Sequence, residues 1–159
     1  MADNLYKAPE SELALEDDVE EIKRPKLVWV IFIIYLISLP GMYFHFAMVN
    51  GSFPADGATK EYYSNIGIID NILVVFGTLY GFIAALQLFR LKKSALQLYI
   101  GLIVLSLITA VYNFTNANYM AFMQEQGTNI YYSMVPGYLI MFCIVGYIYR
   151  LSKKGILKS

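Results

Sequence analysis

The sequence predicts an all-α integral membrane protein, a four-helix bundle with both termini on the cytoplasmic side. Two observations carry this. Of the 159 residues, 58% are apolar and only 15% charged, where a soluble domain carries about a quarter charged. The charges also cluster before residue 27, around residues 90–93 and after residue 149, leaving long stretches almost uncharged. An unpaired charge at the bilayer centre costs on the order of 3 kcal/mol, so a chain solvated by lipid is punctuated in this way.

Residues 1–26 form an acidic cytoplasmic tail. Asp3, Glu10, Glu12, Glu16, Asp17, Asp18, Glu20 and Glu21 outnumber Lys7, Lys23, Arg24 and Lys26. Leu15, Val19 and Ile22 fall at helical spacing and admit a short amphipathic helix; the composition otherwise suits a flexible, solvated segment. Being acidic, without a basic start, and followed late by a long apolar run, the tail does not read as a signal peptide.

The membrane domain covers residues 27–150. Its first span runs over about 27–49, after Lys23-Arg24-Pro25-Lys26, where proline suits a helix start because its missing N–H costs nothing. At about 1.5 Å per residue these residues reach roughly 34 Å, enough to cross a hydrocarbon core of about 30 Å with some tilt. Residues 50–65, rich in Gly, Pro, Asp and Asn, read as a loop. The second span is expected over about 66–89, and Arg90-Leu91-Lys92-Lys93-Ser94 forms a tight basic turn. The third covers about 95–113, a polar stretch follows to residue 129, and the fourth covers about 130–149. Residues 151–159 make a second, basic cytoplasmic tail.

Orientation follows from basic residues rather than from net charge. Both tails, the 90–93 turn and Arg150 at the end of the fourth span account for eleven of the twelve Lys and Arg, and only Lys60 lies in the loops between. Four spans put both termini in one compartment, and the bias makes it the cytoplasm. Trp29, Tyr62, Tyr63, Tyr131, Tyr132, Tyr147 and Tyr149 fall near the span boundaries, at the headgroup level that amphipathic rings favour.

Lipid gives no hydrophobic reward for pairing helices, so close backbone approach and polar contacts must hold the bundle together. Gly77, Gly81 and Ala85 form a small-residue stripe on the second span. Ser106, Thr109, Ala110 and Asn113 share a face of the third. These two faces are expected to meet within the bundle; the stripe can alternatively pair two chains. Pro40 and Pro136 each remove a helical hydrogen bond and should kink the first and fourth spans in their outer halves. Such bends either fit the four helices together or leave a cleft on the outer side.

Few residues within the spans carry chemistry. His45, Asp70 and Asn113 fall at similar depth near the outer boundary and make a candidate polar layer. An imidazole beside a carboxylate favours the charged form of both, so a His45–Asp70 pair could bind a cation, a proton or a headgroup. Alternatively both reach interfacial water, or Asp70 and Asn71 decorate a helix N-terminus. Tyr35, Tyr43, Tyr80, Tyr99, Tyr112 and Tyr138 read as packing residues, and Gln87 and Gln97 as hydrated near the inner boundary. No catalytic arrangement of Ser, His and Asp or of Ser and Lys is apparent. Cys143 stands alone and His45 is the single histidine, so no metal or other cofactor is expected. The net charge is zero, which offers no basic field to nucleic acid.

The opening Asn4-Leu5-Tyr6-Lys7-Ala8-Pro9-Glu10-Ser11-Glu12-Leu13 resembles the Asn-Pro-Tyr-x-Ala-Pro-x-Ser-x-Leu tail of small bacterial inner-membrane proteins, with Leu5 in place of the usual proline. The layout is similar to that of uncharacterised four-span bacterial families. The resemblance implies a bacterial inner-membrane address and carries no activity.

These features suggest a non-enzymatic protein acting by helix-mediated contact. It would be an accessory or regulatory subunit of a membrane assembly, partnered by another membrane protein or by itself; immunity-type inhibition of a membrane-targeting toxin is one form. The alternative is a small transporter or channel subunit that uses the outer polar layer.

Overall fold

A computed structural model describes residues 24–55, 57–127 and 129–158. The N-terminal motif and the amphipathic spacing of Leu15, Val19 and Ile22 lie outside the described residues. The fold is all-α: helices α1 (Lys26–Val49), α2 (Gly57–Ser64), α3 (Ile68–Phe89), α4 (Ser94–Thr115), α5 (Ala117–Glu125) and α6 (Ile130–Lys153). Four of them are long and apolar enough to cross a membrane. Their outward faces stay apolar, with Ile37, Ile72, Val111 and Leu139 all exposed, as expected where the solvent is hydrocarbon.

The four long helices match the expected spans to within two residues, except that α6 runs on to Lys153. Arg150 and Lys153 lie in its last turn, where cations suit the negative end of the helix dipole. The two short helices fall within stretches that the sequence presents as loop and polar linker. An isolated helix of eight or nine residues is marginal, so their stability comes from packing on each other and on α1 and α4. The Tyr62 ring of α2 stacks on Phe122 of α5 at 4.7 Å, and Asn118 Nδ2 donates to the Tyr62 carbonyl at 3.2 Å. Asn116 caps α5, its Oδ1 accepting from the backbone N–H groups of Asn118 and Tyr119, the usual role of a short polar side chain there.

Packing proceeds in the order α1–α3–α4–α6 and is tight at one end only. At the end where Arg24, the α3–α4 turn and Lys158 meet, here called the basic end, Val28 and Ile31 of α1 join Ala84 and Leu88 of α3. Ala95, Tyr99 and Leu102 of α4 and Ile148 and Leu151 of α6 complete this core. Small residues set the spacing. A Cβ added to Gly81 would lie 2.6 Å from Tyr35 Cε1, so its hydrogen lets the α1 ring settle against α3. Gly101 of α4 likewise leaves room for the Tyr80 hydroxyl. Toward the other end, the loop end, α1 and α6 form no comparable seam among the described residues. These are the two helices with internal prolines; Pro40 and Pro136 sit inside unbroken helices and are exposed.

The segment after α6 is more than a basic tail. Gly155 takes a positive φ of 69°, and the Ile156 N–H donates back to the Leu151 carbonyl at 3.1 Å, the glycine-terminated helix ending that satisfies a last-turn carbonyl. The reversed chain buries Leu157 to 1% exposure. It then pairs with the α3–α4 turn: Lys158 N–H donates to Leu91 O at 2.6 Å and Lys93 N–H to Lys158 O at 2.9 Å. Leu91 adopts a φ of 55°, a left-handed conformation that costs a branched residue about 1–2 kcal/mol; its burial and the Lys158 hydrogen bond hold it there. From the opposite side, Arg24 Nε donates to Phe89 O at 3.0 Å, its guanidinium 4.8 Å from the Phe89 ring centre.

Candidate functional site: a blind cavity at the loop end

Where α3 and α4 diverge from their common core, a cavity of about 420 Å³ opens toward the loop end, within the size range of small-molecule sites. One stripe of α3 (Asp70, Leu73, Val74, Gly77, Thr78) faces one stripe of α4 (Leu102, Leu105, Ser106, Thr109, Ala110, Asn113), both at helical spacing. Met134 and Tyr138 of α6, His45 of α1 and Tyr62 and Tyr63 of α2 complete the wall. From Asp70 to Thr78 the wall descends about 12 Å at 1.5 Å per residue. Below it lies the packed core of the basic end, which closes the cavity on that side.

The small-residue stripe therefore divides. Gly81 and Ala85 are buried, Gly81 beneath Tyr35 of α1 rather than a second chain. Nothing lies within 4 Å of the place where a methyl group on Gly77 would sit, and this residue lines the cavity instead. The expected direct meeting of this stripe with the Ser106–Asn113 face fails at its upper part, because the cavity stands between them.

His45, Asp70 and Asn113 all line the cavity, but His45 and Asp70 hydrogen-bond to other partners than each other. His45 Nε2 lies 3.0 Å from Asn71 Oδ1, a hydrogen bond when that nitrogen carries the proton. Asp70 is held by three donors. The Gly67 N–H reaches its Oδ2 at 3.0 Å, the Tyr112 hydroxyl reaches Oδ2 at 3.1 Å, and Asn116 Nδ2 reaches Oδ1 at 3.2 Å. The first contact satisfies an orphan donor at the α3 N-terminus, where a carboxylate also suits the helix dipole. Asp70 thus ties α3 to α4 and to the cap of α5.

Three wall hydroxyls spend their protons on backbone. Ser106 Oγ donates to Ile103 O at 2.8 Å and Thr109 Oγ1 to Leu105 O at 3.0 Å. The Tyr138 hydroxyl crosses from α6 to the Ser106 carbonyl at 2.9 Å, which fixes α6 against the cavity wall. The mouth is aromatic: the Tyr63 ring stands edge-on to His45 at 5.7 Å and to Tyr62 at 5.2 Å. Burial, followed by the negative charge of Asp70 and the neighbouring tyrosines, pushes the Tyr62 phenol up to about 12.

Asn71, Tyr112, Asn116 and Tyr138 carry contacts that their spacing alone does not assign. Tyr112 and Tyr138 look like packing rings from the sequence, and the signal for Asn116 was its place before Ala-Asn-Tyr as a helix cap. Gln87 departs from its expected hydration: its Oε1 and the Tyr99 hydroxyl are buried without a hydrogen-bond partner among the described residues. Among those residues no three His, Cys, Asp or Glu side chains converge as a metal-binding group.

Comparison with protein families, curated proteins and solved structures finds no match to this chain. The cavity's chemistry must therefore be argued from its own walls. It offers one carboxylate, one imidazole, the rings of Tyr62 and Tyr63 and an apolar floor, an arrangement suited to holding a guest.

Proposed function

We propose that this chain is a non-enzymatic, multi-pass protein of a bacterial inner membrane that acts by contact, as an accessory or regulatory subunit receiving a guest in its loop-end cavity. Both termini are cytoplasmic, in keeping with eleven of twelve basic residues on the tails, the α3–α4 turn and the last turn of α6. The cavity then faces the outer side. Immunity-type inhibition of a membrane-targeting toxin is one form this contact takes.

The single observation behind the reading is that the cavity is blind. Val28, Ala84, Leu88, Tyr99 and Ile148 are essentially without solvent exposure in the core beneath it, and close packing of this kind leaves few voids wide enough for water. A receptacle with a solid floor suits recognition better than passage. The gathering of His45, Asp70 and Asn113 on one wall favours the second reading, a transporter or channel subunit, which requires the basic-end core to open.

Purification in mild detergent tests the contact reading. A partner is expected in stoichiometric amount, and Gly77→Phe, which places a ring in the cavity without a backbone clash, should weaken its retention. A clean monomer or homodimer from the native membrane counts against the proposal. For the transport reading, Asp70→Asn should alter flux in liposomes, and unchanged flux removes it.

A further inference from the structure

We propose that the cavity takes an alkylammonium amphiphile, its cationic head lodged between Asp70, Tyr63 and His45 and its apolar chain directed toward Gly77 and Leu102. This rests on the reading of the cavity as a binding site and adds the chemistry of the guest.

Charge balance favours a cation. Among the described residues that line the cavity, Asp70 is the only Asp, Glu, Lys or Arg. A carboxylate offers about four acceptor positions, and among the described residues three donors occupy Asp70, all of them neutral. Its charge is thus solvated but not balanced, and a recess with low-dielectric walls focuses that field on whatever enters. A cation is drawn in and an anion repelled.

Hydrogen-bonding capacity points the same way. The hydroxyl protons of Ser106, Thr109 and Tyr138 are committed to backbone carbonyls, and that of Tyr112 to Asp70. What these groups still present is oxygen lone pairs. A sulfate, phosphate or carboxylate head would meet the Asp70 charge and these lone pairs; an ammonium head finds acceptors in both. Tyr62, Tyr63 and His45 stand together at the mouth, and aromatic rings beside a carboxylate are a recurrent way to hold a quaternary ammonium. Tyr62 is anchored by its stack on Phe122, so the mouth is preorganised by α5.

The depth completes the fit. Below Asp70 the walls turn apolar through Leu73, Val74, Leu105 and Leu102, and the floor is closed. An alkyl chain matches that interior, whereas a small hydrated cation would leave it empty. The head can belong to a lipid such as phosphatidylethanolamine or to a free amphiphilic amine. Lys60 and Tyr63 both line the adjoining recess.

The test uses the full chain in dodecyl maltoside micelles and three probes: decyltrimethylammonium, decyl sulfate and phosphatidylethanolamine. Retention of each is read by native mass spectrometry. One decyltrimethylammonium per chain is expected, held about tenfold more tightly than decyl sulfate, the scale of a partly desolvated cation–π and charge contact. Asp70→Asn should erase that preference. Tyr63→Leu, which leaves every Asp70 hydrogen bond in place, should reduce it, so that misfolding of the first variant does not decide the matter. Gly77→Phe should abolish both forms of binding. Displacement of the decyl probe by phosphatidylethanolamine assigns the head to a lipid, and its failure to compete assigns it to a free amine. Equal or reversed preference between the charged probes overturns the ammonium assignment. If Gly77→Phe still removes binding in that case, the cavity remains a binding site; if it changes nothing, that reading falls as well.

Discussion

The Tyr35 ring of α1 occupies the space that a side chain at Gly81 of α3 would need, 2.6 Å from the position of an added Cβ. One turn earlier, Gly77 faces open cavity. Two glycines on the same stripe therefore do opposite things: one brings helices together and the other keeps them apart.

Gly81→Ile should destabilise the monomer by about 1–3 kcal/mol, the usual cost of overpacking, without changing the oligomeric state. Thermal unfolding and size-exclusion chromatography in the same detergent check both halves. An oligomer that dissociates while the melting temperature holds would put the stripe between chains instead.

The docked C-terminus should contribute measurably to stability. Leu157 is buried against the basic-end core, and Leu→Ala at such a site costs about 2–5 kcal/mol. Leu157→Ala should lower the melting temperature clearly, and a Leu157→Met control should lower it little. Equal, negligible shifts would show that residues 156–158 merely rest on the surface.

The sequence disclosed the four long helices because hydrocarbon imposes a simple rule: an apolar run of sufficient length, with charges only at its ends. It also put His45, Asp70 and Asn113 at one depth, since depth follows from counting residues along a helix. Their partners were hidden. Whether His45 meets Asp70 or Asn71 depends on helix rotation, which a neighbouring residue number does not fix. The same holds for α2 and α5, whose stability comes in part from Tyr62 and Phe122 meeting across about sixty residues of chain. The Lys154-Gly155-Ile156-Leu157 ending did hold a readable signal, a glycine after a periodic helix followed by apolar residues.

Tyr99→Phe should be neutral or stabilising by up to about 1 kcal/mol. Its hydroxyl is buried with no partner among the described residues, and removing an unsatisfied polar group relieves a desolvation cost. A strong loss of stability on thermal unfolding would mean that the hydroxyl has a partner, such as an internal water.

Tyr62 should titrate late. Its phenol is pushed up to about 12 from the ordinary 10.0, so the neutral form is favoured by the fold. Its contribution to stability is fully present below pH 10 and is lost as pH rises through about 12. An ultraviolet titration of the protein minus that of Tyr62→Phe should show one phenolate appearing near pH 12. A midpoint near 10 would mean that the Phe122 stack leaves the ring in water.

A recess that opens outward and ends in a solid floor is the feature on which the proposed function rests. In a Cys143→Ser background, Ser106→Cys and Ala84→Cys should be treated with a membrane-impermeant thiol reagent from each side of the membrane. Residue 106 should react from the outer side alone, and residue 84 from neither. Labelling of residue 106 from the cytoplasmic side, or of residue 84 from either, would contradict a blind outer cavity.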